Sequence, residues 1–370
     1  MEGEIECNGR ILNLTMVPPE RIVAGFLKPR LEEMFTYTLF AFVVVVGLFA
    51  NASFIYVVAK VEKMHTVMNA YLVNLAVADI MILGYGYVDR LYFYLSTSLN
   101  VGTNFLGPMY CVVSATFEVT YYVSLFTVTL FSMERYTAVC HPMEHIKIST
   151  SGRTRMLLLG TWVFAVVIAV LQIPGKGRRD LLCLVFSRDS EFHHLSGDVP
   201  ICGEIVKGYF KHVGVPLQLL PFYIALFGNA FFYIMMVGTL IKRGGSIVGS
   251  EDNDKVSAAM IKSRNAATRM IVINGCVFFF CQAPIQIFIT VTWIFKLVNR
   301  NILMPFAQRR NIFLVLTILL YLNSAVNPFI YSVTNRQYRI AFFQAFKIKR
   351  KHRLGKYTSP RSRKTAMSSL

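Results

Sequence analysis

The sequence predicts an all-α membrane protein, a bundle of seven transmembrane helices followed by a short amphipathic eighth helix. Three observations lead there. Of its 370 residues 55% are hydrophobic and only 16% charged, with a mean hydropathy of +0.50, an excess of apolar surface that suits a bilayer and not a soluble domain. The apolar residues are gathered into runs long enough to cross the hydrocarbon, which takes about 20 residues as a helix. The basic residues are sorted as well: alternate connections and the C-terminal tail are strongly basic, while the other connections are nearly balanced.

In chain order, residues 1–33 form an N-terminal arm. It opens with MEGEIEC, acidic and polar, so no cleavable signal peptide is expected and the first span serves as its own insertion signal. Residues 34–334 hold the spans: Phe35–Ala59, Ala70–Val88 (broken by Asp79), Gly107–Met133 (broken by Glu118), Met156–Pro174, Gly214–Ile241, Met270–Phe295 and Asn311–Asn335. The connection from Gly175 to Val213 is the longest and is rich in charge, Gly and His. That from Lys242 to Arg269 opens with GGSIVGSEDND and turns basic. After Tyr331, basic and apolar residues alternate, with Ile340, Phe343 and Phe346 at helical spacing. Residues 335–346 therefore predict an amphipathic helix along the inner membrane surface, and 347–370 a basic, unstructured cytoplasmic tail.

An odd number of spans puts the termini on opposite sides, and the basic connections belong inside. The expected protein is a multi-pass plasma-membrane protein with its N-terminus extracellular and its C-terminus cytoplasmic. The net charge of +18 then sits mostly at the inner leaflet, which points to anionic lipid headgroups as partners and away from nucleic acid. Of the seven cysteines, Cys7, Cys111, Cys183 and Cys202 fall in or beside outer segments, where disulfides persist, whereas Cys140, Cys276 and Cys281 are expected as free thiols. Asn13 heads an outer Asn-Leu-Thr glycosylation sequon.

Amide, hydroxyl and carboxylate groups are costly in lipid, so inside a span they face the bundle and mark function. Asn51, Asp79, Ser124, Asn323, Ser324 and Asn327 lie at similar depth on four different spans. A lone carboxylate among neutral oxygens suits a small hard cation; a hydrogen-bond network that joins helices explains the same residues. Both readings stand at this point. No nucleophile–base pair or His/Cys metal cluster suggests an enzyme. A transporter working through Asp79 and Glu118 would need a longer chain of carboxylates and, usually, an internal repeat, and neither is visible.

GLFAN (47–51), NLAVAD (74–79), ERY (134–136), Trp162, Pro221, FFFCQAP (278–284) and NSAVNPFIY (323–331) together resemble the signature set of rhodopsin-like (class A) G-protein-coupled receptors, in order and across all seven spans from about Phe35 to Phe346. The resemblance implies an allosteric sodium site at Asp79, Ser124, Asn323, Ser324 and Asn327, and no other cofactor. It implies a switch in which Arg135 pairs with Glu134 at rest beside Tyr136, Met143 enters a heterotrimeric G protein, and Phe278 and Pro284 form a kink from which the sixth helix swings outward. Pro328 bends the seventh helix, and Tyr331 turns inward to steady the open form. Three positions depart from the pattern: Gln282 stands for a tryptophan, Asn229 for a tyrosine, and Arg264 for the acid that often holds the arginine. The last implies a missing inter-helix lock and some basal signalling. Cys111 matches the cysteine that tethers the third helix to the long outer loop, with Cys202 as its expected partner and Cys183 as the alternative; Cys7 and Cys183 would then form a second bridge.

For the ligand, the position of the amine-binding aspartate in relatives is Phe117, beside Glu118, and the position of the retinal lysine is Tyr321. An amine is disfavoured, and a Schiff base has no amine to form it. Asp89, Arg90, Phe117, Glu118, Tyr121, Gln172, Gln218, Gln282, Gln286 and Tyr321 are the candidate ligand-binding residues. Both signs of charge among aromatic walls suit a peptide, as do the charged outer loops. About half of these residues are expected to touch it, the others bonding helix to helix. A lipid or other small-molecule ligand is the alternative, and it would want fewer charges. FCQAP and SMERYTAVCHP are similar to neuropeptide receptors, including the FMRFamide-type and related orphan branch. Thr358, Ser359, Ser362, Thr365, Ser368 and Ser369 are candidate targets of receptor kinases for arrestin recruitment.

Overall fold

The computed structural model describes residues 10–18, 36–96, 109–247, 255–300 and 306–347, with 22 and 304 singly. Among these, seven helices are long and apolar enough to cross a membrane: α1 (Ala41–Lys60), α2 (Val67–Ser96), α3 (Tyr110–Cys140), α4 (Ser151–Lys176), α5 (Val215–Ile247), α6 (Lys255–Leu297) and α7 (Phe306–Thr334). Several outrun the apolar stretches in the sequence, because hydropathy marks only the hydrocarbon-crossing part. Backbone hydrogen bonding continues into the interface. Asp79 and Glu118 interrupt nothing, since a helix satisfies its backbone regardless of side-chain polarity.

α3 is the central post, packed against α2, α4, α5 and α6, while α7 closes the ring against α6, α1 and α2. Pro174, Pro221, Pro284 and Pro328 lie inside α4, α5, α6 and α7, each removing one intrahelical hydrogen bond where a bend is tolerated. A Cβ on Gly47 would stand 2.7 Å from Leu83 and 2.8 Å from Ala325, so glycine lets α1 close onto α2 and α7. The two largest apolar clusters among the described residues lie inside the bundle. One is built on Tyr121, Tyr122, Leu125, Phe222 and Phe278, the other on Phe54, Tyr71, Phe131, Tyr331 and Tyr338. Large apolar side chains such as Phe49, Phe227 and Phe280 remain 70–75% exposed on the outside. In water such a surface would associate; in a bilayer it meets hydrocarbon.

The two ends of the bundle differ. At one, β2 (Arg178–Val185) and β3 (Gly197–Gly203) form an antiparallel hairpin, and β1 (Arg10–Asn13) from the N-terminal arm adds to β2 in parallel. Leu14, Ile22, Leu184, Phe186 and Phe192 give this sheet its own buried cluster. At the other end lie a linker helix (Pro142–Ile148), with proline in its first turn, and α8 (Arg336–Ala345). The Asn335 side chain accepts from the Gln337 amide at 2.9 Å, capping α8 where α7 stops. The amphipathic eighth helix is thus present. Its bundle-facing side chains are Tyr338, Ala341 and Ala345, whereas Ile340 and Phe346 of the expected apolar face are exposed. α8 therefore has two apolar faces, one for the bundle and one turned outward.

Candidate functional site

Midway along the bundle, the polar residues singled out in the sequence are all buried: Asn51, Asp79, Ser124, Asn323, Ser324 and Asn327 are each 0–2% exposed. Asn327 Nδ2 donates to Asp79 Oδ2 at 2.8 Å, and the Ser324 hydroxyl bonds the same carboxylate. Asn51 Nδ2 donates to the carbonyls of Gly47 and Ser324, both at 2.9 Å, holding α1 to α7. Ser124 Oγ, Asn51 Oδ1, Asn323 Oδ1 and Asn327 Oδ1 are buried without a hydrogen-bond partner among the described residues. The donor set is thus one carboxylate with neutral oxygens to spare, the chemistry that fits a small hard cation. The helix-joining bonds are real as well, so the two explanations open at the sequence level coexist in one cluster.

Toward the sheet, Asp89, Arg90, Phe117 and Tyr321 line one cavity of about 220 Å³ together with Tyr85 and Tyr110. Tyr110 bonds the Asp89 carboxylate, and Arg90 stands beside it. Phe117 packs on Tyr85 with ring centroids 5.7 Å apart. Glu118, Tyr121 and Gln286 form a second group outside those walls. Glu118 Oε1 pairs with Lys176 of α4, a partner the sequence reading missed; a basic residue closing the fourth span is the signal that was there. Gln286 Nε2 donates to the Tyr121 hydroxyl at 2.9 Å. Glu118 Oε2, Gln282 Oε1 and Gln286 Oε1 are buried acceptors without a partner among the described residues. Gln218 is partly buried on α5. Gln172, 2% exposed, gives its amide to the Gly214 carbonyl at 3.0 Å and so joins α4 to the start of α5.

The arrangement at the α8 end corrects one expectation. Glu134 does not pair with Arg135. Its Oε1 accepts from Ser149 Oγ at 2.6 Å and lies 3.5 Å from His145 Nδ1, and its Oε2 takes Arg153 Nη1 at 3.2 Å. The linker helix and the foot of α4 present three donors on the side away from Arg135, and together they outcompete one neighbouring guanidinium. Arg135 is left against Met68 Sδ, its Nε buried without a partner among the described residues. Nearby, the Tyr338 hydroxyl donates to Asn69 Oδ1 at 2.5 Å; burial pushes its pKa up, with the Arg135 charge pulling against that. Tyr136 packs on Phe232 at 5.3 Å. Met143 projects from the linker helix, 72% exposed. Phe278 is fully buried, and Tyr331 lies between Phe54 and Tyr338 at 5.3 and 6.0 Å. The side chain of Arg264 lies outside the described residues.

Two further networks went unseen in the sequence. Trp162 Nε1 donates to Asn74 Oδ1 at 2.9 Å, and Asn74 Nδ2 to Thr127 Oγ1 at 2.8 Å, which ties α4, α2 and α3 together. Asn229, in place of the expected tyrosine, donates to Thr129 Oγ1 at 3.0 Å and accepts from the Tyr233 hydroxyl at 3.1 Å; that hydroxyl also meets Ser132 Oγ at 2.9 Å. Tyr233 stands one turn after Asn229, on the same face of α5.

Cys111 is bridged to Cys202, which removes Cys183 as its partner. Cys183 is itself disulfide-bonded, while Cys7 lies outside the described residues. Cys140, Cys276 and Cys281 are free thiols, as expected. The exposed Asn13 side chain accepts from the Thr15 amide at 3.0 Å and hydroxyl at 2.7 Å. The tail serines and threonines from Thr358 to Ser369 also lie outside the described residues.

A family model described as 7 transmembrane receptor (rhodopsin family) matches residues 50–331, a stretch that runs from the first spanning helix through Tyr331. Over 306 residues the chain is 28% identical to the allatostatin-A receptor of Bombyx mori, covering 82% of this chain and 77% of that one. It is 28% identical over 312 residues to neuromedin-U receptor 2 of Mus musculus, covering 82% and 73%. It is 25% identical over 334 residues to the thyrotropin-releasing hormone receptor of Gallus gallus, covering 80% and 74%. With seven membrane-crossing helices, the buried Asp79–Asn327 pair and the Cys111–Cys202 bridge in place, the chain belongs to the rhodopsin family of seven-transmembrane receptors, multi-pass membrane proteins that are not enzymes.

Proposed function

We propose that this receptor sits in the plasma membrane with its sheet end outside, binds an extracellular neuropeptide there, and activates a heterotrimeric G protein at its α8 end. The observation that carries the ligand class is the cleft. Asp89 and Arg90 share one cavity with Tyr85, Tyr110, Phe117 and Tyr321, and the Glu118–Lys176 pair adds a further charge of each sign. A peptide offers amides, charged groups and side-chain rings to such polar and aromatic walls, whereas a lipid chain would want an apolar cleft. The three relatives, by name receptors for allatostatin-A, neuromedin-U and thyrotropin-releasing hormone, support the same class. The basic inner connections and the disulfide at the sheet end support the orientation.

Binding at the outer end favours an arrangement in which α6 swings out about Pro284 and the inner ends open. Because the linker helix and α4 already occupy Glu134, Arg135 has only Met68 to leave in order to meet an incoming G protein, to which exposed Met143 would add an apolar contact. Phosphorylation of the tail by receptor kinases and arrestin binding would end the signal. Asp79, with Ser124, Asn323, Ser324 and Asn327, would hold a sodium ion, whose charge would favour the closed bundle.

Screening a neuropeptide library on cells expressing the receptor, with calcium and cAMP readouts, tests the ligand class; activation by a lipid or an amine and by no peptide refutes it. Arg135→Ala is expected to abolish G-protein activation at normal surface expression and ligand binding, and full signalling in that variant would remove Arg135 from the mechanism. Asp79→Asn should make agonist affinity indifferent to sodium in a radioligand titration. Retained sodium sensitivity would place the ion elsewhere.

A further inference from the structure

A crevice of about 140 Å³ lies between α1, α7 and α8, walled by Phe49, Phe54, Pro328, Phe329, Tyr338 and Phe342. Phe49 is 70% and Phe329 48% exposed, and both belong to membrane-crossing segments. The crevice therefore opens sideways into hydrocarbon and not into water. Apart from Ser53, Ser332 and the Tyr338 hydroxyl its walls are apolar, so its occupant there is a hydrocarbon chain. Its lip is cationic. Arg339 Nη1 donates to the carbonyls of Ser332 and Val333 at 2.8 and 2.9 Å, which fixes the guanidinium at the edge and leaves its other nitrogens without a bond among the described residues. Arg336 is exposed in the first turn of α8, where the helix dipole adds to its attraction for an anion. No acidic residue follows Asp254, and no cysteine follows Cys281. α8 therefore has no thiol for S-acylation, and its outward apolar face must be satisfied from the bilayer.

We infer that this crevice is a specific site for an anionic phospholipid, with one acyl chain between α1 and α7 and the headgroup held by Arg336 and Arg339. The site differs from the extracellular cleft and does not depend on it. Its inner wall is Tyr338, which packs on Tyr331 at 6.0 Å, so a bound lipid braces the part of α7 that must move.

The test uses the full-length receptor in phosphatidylcholine nanodiscs carrying a trace of phosphatidylserine or phosphatidylcholine with a photoactivatable acyl chain. Crosslinked peptides are mapped by mass spectrometry. Crosslinks are expected on α1 near Phe49 and on α7 near Phe329. The serine lipid should exceed the choline lipid by about fivefold, the effect of one additional headgroup charge beside basic residues. The double variant Arg336→Gln, Arg339→Gln should bring the two lipids level, and Ser53→Phe should reduce both by filling the crevice. Ser53→Ala, expected to crosslink normally, controls for folding. Equal yields from the two lipids on the unaltered receptor, crosslinks confined to other helices, or displacement of the probe by cholesterol but not by unlabelled phosphatidylserine would each overturn the assignment.

Discussion

Gly275→Ala is expected to give a receptor that signals without ligand, with basal activity raised about tenfold or to saturation. A Cβ on Gly275 would stand 2.9 Å from Tyr233 Cε2 and closer still to its Cζ and hydroxyl oxygen. That oxygen is not free to move aside, because it meets Ser132 at 2.9 Å and Asn229 at 3.1 Å. Overpacking costs about 1–3 kcal/mol, and breaking the two hydrogen bonds costs about 1 kcal/mol each. The penalty falls on the state in which α6 lies against Tyr233, and the proposed outward swing of α6 would relieve it. Each 1.4 kcal/mol taken from the closed state multiplies the open population about tenfold until the open state dominates. Basal nucleotide exchange in membranes and the Tm of the ligand-free receptor in detergent measure the two sides of this balance. Tyr233→Ala alone forfeits both hydrogen bonds and sets its own baseline; on that background, with the obstacle gone, Gly275→Ala should add no further basal activity. An unaltered Tm and basal rate in Gly275→Ala would show that the tyrosine yields cheaply and that the contact is incidental.

That contact also shows what kind of information the sequence lacked. The spans were legible because the cost of polar backbone and side chains in hydrocarbon leaves a one-dimensional record, run by run. The buried cluster was legible for the same reason: Asp79 and Asn327 stand out against apolar neighbours wherever they are read. α8 was visible in its period, although the period does not say which of its two apolar faces meets the bundle. Partner choice leaves no such record. Glu134 sits next to Arg135 in sequence, and the pairing that adjacency suggested yields to Ser149, His145 and Arg153, which only the return of the chain into α4 brings within reach. Lys176 finds Glu118 across 58 positions. β1 is four residues, RILN, too short to show an alternating pattern, and its place beside β2 depends on an apolar cluster assembled from the far side of α4. Tyr233 was hidden differently. Its neighbour Asn229 was noticed as a departure, but a departure announces a missing group and not the residue one turn later that takes up its bonds.

The second large effect is expected at Cys202. In Cys202→Ser, peptide affinity should fall at least tenfold and surface expression should drop. The bridge to Cys111 spans 91 positions, and in a free chain a loop of that size is worth about 4–5 kcal/mol of closure entropy. Most of that does not apply here. α4 crosses the membrane between the two cysteines and already restrains the loop in any inserted state, so the entropic share is small and the consequence is local. Cys202 lies in β3 opposite Arg179 of β2, and β2 in turn carries β1 and the cluster around Leu184 and Phe186. Cutting the bond frees the three-stranded sheet from the first turn of α3, where Tyr110 bonds Asp89 at the edge of the cleft. The loss should therefore appear in binding more than in Tm, and chiefly as a faster dissociation rate, if the sheet holds the rim of the proposed cleft in place. Ligand dissociation kinetics beside thermal unfolding, on Cys202→Ser and on the unaltered receptor, separate the two contributions. A variant that unfolds more easily but releases ligand at the unaltered rate would make the disulfide a stabiliser of the fold alone and would take the sheet out of the binding site.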